Sequence, residues 1–180
     1  MAGSRGALDV NGQQIFGLQV LLSFLVYGLV ARWYVTPRLA PLSREAALQP
    51  LLVLHATRHI GMVFLVPTVV GPALPASFAG PAAYGDLLAG LLALAAIITL
   101  RARSRIALPL TWVFNVVGLL DLIHAFYQGL RHDVQLGAAY FIPTFIVPAL
   151  VITHVMIFRM LVRHPRWPAP TPHLPVPSQL

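Results

Sequence analysis

In the stretch LHATRHIGMVFL, residues 54–65, two imidazoles and a guanidinium interrupt an otherwise apolar run. Neutral imidazole ligates haem iron and divalent transition metals. Guanidinium binds carboxylates, a haem propionate included, through charge-assisted hydrogen bonds. On an α-helix His55 and His59, four apart, share one face, and Arg58 flanks them there. His154 and Asn115 add a polar group to each of two other apolar runs. Asp121 and His124, three apart, share a helix face of their own.

Several chemistries fit the first group. His154 with His55 or His59 would be the axial ligands of a haem b held between helices, with Arg58 on a propionate and Asn115 beside them. Alternatively, His55, His59 and His154 would together hold one copper or zinc ion, the i, i+4 pair supplying two ligands from one helix. Carboxylates to orient metal-bound histidines are missing nearby, which weakens that set. Without a cofactor, the same side chains would hydrogen-bond one another and fix helix register, or line a proton or substrate path. Asp121 orienting His124 would make an outer proton site, with Arg131, His132 and Asp133 in the loop beyond it.

The elements that must position these groups are membrane helices. Hydrophobic residues make up 58% of the chain and charged residues 9%, with a mean hydropathy of +0.78. A soluble domain carries about 25% charged residues to cover its surface. A bilayer crossing takes ~20 predominantly apolar residues. Runs at about 14–31, 51–70, 83–100, 106–127 and 138–162 meet that length. The expected fold class is therefore all-α, a single-domain integral membrane bundle of five transmembrane helices over 14–162. Residues 1–13 are expected as a short extracytoplasmic N-terminus, and the first run as an uncleaved anchor. The proline- and glycine-rich 67–86 is expected as an outer loop. Residues 163–180, with a proline every two or three positions, are expected as a disordered cytoplasmic tail.

Net charge is +7, and every basic residue is arginine. The arginines gather at alternate ends of the runs: Arg32, Arg38, Arg44, Arg101, Arg103, Arg105, Arg163 and Arg166 against Arg5 and Arg131. Basic residues near span ends mark the cytoplasmic side. The expected topology is N-terminus outside and C-terminus cytoplasmic, in a bacterial inner (plasma) membrane. At ~1.5 Å rise per residue, His55, His59, His154 and Asn115 then lie ~7 to ~13 Å from the cytoplasmic edge, and Asp121 ~22 Å from it.

Absences narrow the chemistry. With no lysine and no cysteine there is no Schiff base, thiol nucleophile, disulfide or iron–sulfur cluster. HATRH at 55–59 lacks the glutamate of a zinc-protease helix. Glu45 is the sole glutamate, which argues against di-iron sites. Scattered arginines make no nucleic-acid patch. What remains is a multi-pass membrane protein, with haem b or a metal on its buried histidines. The alternative is a permease-like or accessory subunit with a structural or proton-conducting polar cluster. Expected partners are the lipid bilayer and a homo-oligomer or larger membrane complex.

Overall fold

A computed structural model describes residues 12–131 and 134–162, and these form helices and short connections with no strand. The C-terminal tail, most of the N-terminal segment and the pair His132–Asp133 lie outside the described residues. The first helix, α1, spans Gly12–Val30, so it begins slightly earlier than the sequence suggests. It continues through a π-helical turn, Ala31–Val35, into Thr36–Leu39. A proline ring collides with the carbonyl four residues back. For Pro37 that residue is Trp33, inside the π turn, and the widened ladder relieves the collision. The same device recurs at Pro148, whose i−4 residue Thr144 lies in the π turn Ile142–Ile146.

The next segment departs from a single span over 51–70. Helix α2 runs Arg44–Ala56 and is capped by Ser43, whose Oγ accepts from the Ala46 amide at 3.2 Å. From Thr57 the chain tightens into a 3-10 helix that lasts to Leu65, followed by the single turn Pro67–Val70. A 3-10 helix has 3.0 residues per turn, so residues three apart eclipse. Arg58, Gly61 and Phe64 accordingly form its buried stripe. The composite rod is ~37 Å long at the rises of its two parts.

Helix α3 covers Ala76–Arg101 and α4 covers Ala107–Arg131. Helix α5, Val147–Val162, is led in by a 3-10 turn, Gly137–Tyr140, and the π turn. The expected outer loop 67–86 is thus largely helical at its C-terminal end. Pro75, extended at φ −62 and ψ 133, starts α3, and Pro81 is absorbed in its second turn. Four helices, Gly12–Leu39, Ala76–Arg101, Ala107–Arg131 and Gly137–Val162, are long and apolar enough to cross a membrane, as suits a multi-pass membrane protein.

Helix α3 is the centre of the bundle. Ala79, Ala82, Ala83, Ala89, Ala93 and Ala96 are all buried along it. Small side chains let α2, the 3-10 rod and α4 approach closely, where dispersion acts over the full helix length. One apolar core, with Leu48, Leu52, Phe114 and Ile157, fills the end nearest the Arg101–Arg105 turn. A second, with Phe64, Phe78, Ala83 and Ala139, fills the other end. The polar groups lie between them. Helix α1 has no buried residue. It leans on α5 and its lead-in through Tyr27–Phe145 and Phe16–Tyr140 ring contacts and a Gln19–Tyr140 hydrogen bond of 2.6 Å.

Candidate functional site

Arg58 is the hub of the buried polar groups. Its Nε donates to Asp86 Oδ1 at 2.7 Å, Nη2 to Asp121 Oδ2 at 2.5 Å, and Nη1 to the Gly118 carbonyl at 2.9 Å. A fully buried guanidinium is tolerated where all its nitrogens are engaged and opposite charge is adjacent. Asp86 lies ten residues from the start of α3 and Asp121 ten from the end of α4. Both are therefore ~15 Å from the same end of the bundle, at one level. Glycines make the room: a Cβ on Gly61 would run into the Asp86 carboxyl, and one on Gly85 into that of Asp121.

A second group stacks directly on the first. His55 and His154 are wholly buried, with ring centroids 4.1 Å apart and planes inclined by 48°. Phe114 closes the triangle at 5.0 Å from His55 and 5.4 Å from His154. Each imidazole has one ring nitrogen held by a polar side chain. Asn115 Nδ2 donates to the His154 carbonyl, so its Oδ1 accepts from His154 Nδ1–H at 2.7 Å. Thr153 Oγ1, within reach of the Ala149 and Leu150 carbonyls, hydrogen-bonds His55 Nε2 at 3.0 Å. His55 Nδ1 and His154 Nε2 are left buried with no hydrogen-bond partner. Gly118 is the seam between the groups: a Cβ there would meet His154 Nε2 at 3.2 Å and Arg58 Nη1 at 3.1 Å.

Of the expected site residues, the fold brings together His55, His154 and Asn115, with Arg58 one turn on. His59 does not join them. The change to three residues per turn at Thr57 carries its side chain outward, where its Nδ1 meets only the Ala56 carbonyl at 3.2 Å. Arg58 is paired with Asp86 and Asp121, and the polar partners of His55 and His154 are Thr153 and Asn115. Asp121 turns to Arg58, while His124 is exposed and makes no hydrogen bond to it. Among the described residues, no group of three or more His, Cys, Asp or Glu side chains is arranged to hold a metal ion.

Asp86 and Thr153 escape the sequence reading. Thr153 carries no signal beyond its type. Asp86 does: a buried arginine requires a counter-ion, and only five carboxylates exist in the chain. The prolines at 67, 72, 75 and 81 make the start of its helix read as loop, so Asp86 falls at the blurred edge of the expected run 83–100.

The charged cluster borders a cavity of about 1070 Å³. The cavity lies between the start of α1, the second half of α4 and the lead-in to α5, at the end opposite the Arg101–Arg105 turn. Asp86 and Asp121 belong to its wall and Arg58 does not. Their side chains are 13% and 17% exposed against 1% for Arg58, so the carboxylates face the cavity and the guanidinium lies behind them.

A family model described as a domain of unknown function, DUF8737, matches residues 15–162. That stretch holds all the helices described above except the first three residues of α1, and both polar groups. The chain belongs to the DUF8737 family. No curated protein and no solved structure matches it. In this DUF8737 protein the buried charges and the cavity they border are the features on which a function can rest.

Proposed function

We propose that this DUF8737 protein is a permease-like membrane protein, with the Arg58–Asp86–Asp121 cluster as the charge-bearing station at the inner end of its cavity. The observation that carries the reading is the double duty of the two aspartates: each holds Arg58 and each forms cavity wall. A cluster needed only for packing has no reason to turn its carboxylates toward open space. Charged side chains at mid-membrane cost several kcal/mol and characteristically mark solute or proton paths. In this reading the composite α2 rod is the fifth crossing. The N-terminus is outside, the cavity opens outward, and the arginine-rich turn lies at the cytoplasmic face of an inner membrane. The 3-10 stretch that carries Arg58 is the element able to move, because runs of that helix are short and weakly bonded.

The protein, reconstituted on a solid-supported membrane, is expected to pass a transient current after jumps of protons or of a charged solute from a mixed panel. Asp121→Asn should abolish that current. Silence toward protons and toward cationic, neutral and anionic solutes alike would leave the cluster a purely structural role.

A second reading, haem b or a metal ion on His55 and His154, draws on one observation. Each imidazole has one nitrogen held by a polar partner and the other buried without one, the pattern of a ligand oriented from behind. Ligation would require rings now 4.1 Å apart to separate. A Soret band in the purified protein that His154→Ala removes and His59→Ala leaves intact would favour it. A colourless, metal-free preparation would sink it.

A further inference from the structure

We infer that the cavity takes an amphipathic organic monocation, an ammonium or similar onium group on an apolar body. This deepens the permease-like reading and rests on its assignment of the cavity as the solute site. The charge balance comes first. Two carboxylates share one guanidinium, so one negative charge is in surplus, and the oppositely charged partner stands on the far side of the carboxylates from the cavity. Among the described residues, no other Asp, Glu, Lys, Arg or His side chain lines the space. An occupant therefore meets unbalanced negative charge at the floor, in surroundings of low dielectric where it is weakly screened.

The walls select the rest of the molecule. Phe16, Phe64, Phe78, Phe126 and Tyr140 give the walls aromatic surface, and most of the remaining lining is aliphatic. Aromatic faces beside carboxylates are the combination that recognises an onium group, through the ring quadrupole and direct charge attraction. A small inorganic cation would leave the apolar walls unused, and an anion would be repelled at the floor. The volume of about 1070 Å³ holds a molecule of drug size, well beyond a hydrated ion. Phe16 of α1 meets Phe126 of α4 at the cavity wall, ring centroids 6.2 Å apart.

Tetraphenylphosphonium and tetraphenylborate have the same shape and opposite charge, which isolates the sign of the site. Radiolabelled tetraphenylphosphonium should bind the full chain in nanodiscs saturably, above empty-disc background, and tetraphenylborate should fail to compete. Asp86→Asn and Asp121→Asn should each weaken binding by about tenfold, the cost of losing one close charge pair. Phe16→Ala, on the peripheral α1 and outside the charged cluster, should weaken it by about fivefold. This variant keeps the question open to test if the aspartate variants do not fold. Absence of saturable binding, equal competition by the borate, or wild-type affinity in both asparagine variants or in Phe16→Ala would each overturn the inference. Binding without any current in the solid-supported assay would sustain the cation class and sink the permease reading. Currents without onium binding would do the reverse.

Discussion

The two buried polar groups sit one helical turn apart and are built on opposite principles. Around Arg58 every guanidinium nitrogen has an acceptor, and two aspartates from separate helices close on it. Around His55 and His154, ring packing against Phe114 dominates, and two ring nitrogens have no partner. The contrast follows from charge. A buried guanidinium cannot shed its proton, so the fold must supply counter-ions. A neutral imidazole needs only one donor satisfied and otherwise packs like an aromatic ring. One group is therefore held by electrostatics with packing as accessory, and the other by packing with hydrogen bonds setting orientation.

Breaking the first group should cost most. Arg58→Met leaves two buried carboxylates without a counter-ion and is expected to destabilise by about 3–5 kcal/mol, read as the midpoint of reversible SDS unfolding. The triple variant Arg58→Met, Asp86→Asn, Asp121→Asn removes the charges together and should recover much of that loss. If the triple is no more stable than the single, the cluster is not held by its charges. Gly118→Ala strikes both groups at their seam, pressing a methyl between His154 and Arg58. It should cost about 1–3 kcal/mol in the same assay. Asn115→Leu strands the His154 Nδ1 proton and removes the donor to the His154 carbonyl. A loss of about 1–3 kcal/mol is expected there. The smallest effect belongs to His55→Phe, which keeps a ring and deletes the unpartnered Nδ1 together with the Nε2 contact to Thr153, while Thr153 keeps its backbone acceptors. Its cost should stay below about 1.5 kcal/mol. A loss as large as that of Arg58→Met would mean the imidazoles bear load that packing does not explain.

How much of this was readable in advance differs between the groups. His55, His154 and Asn115 come from separate helices and meet because polar groups at matching depths in apolar rods have nowhere else to turn. Depth alone puts His154 and Asn115 level with His59; that His55 joins them instead is decided by the change of winding at Thr57. The Arg58 cluster was half hidden. Arg58 and Asp121 are conspicuous by type, yet Asp121 was assigned to His124, its helix neighbour, over an arginine 63 residues away. Local spacing sees i, i+3 pairs and is blind to a cross-helix ion pair. Asp86 falls where the expected loop 67–86 and the expected run 83–100 overlap, at the ill-defined start of a helix that begins at Ala76. His59 was misplaced by the opposite error, trust in a period of 3.6 through a stretch that winds at 3.0.

Taken by itself, the sequence determines the solvent and the class of fold. A chain so apolar and so poor in charge must satisfy its backbone internally, and long uninterrupted apolar runs do that as helices. It also determines that any buried charge has to find a partner. Which partner it finds was decided only by tertiary structure. That choice depends on the winding of one short segment and the starting point of one helix. The helix begins at Pro75, inside a proline-rich stretch that reads as loop, and the 3-10 winding lays Arg58, Gly61 and Phe64 along one buried stripe.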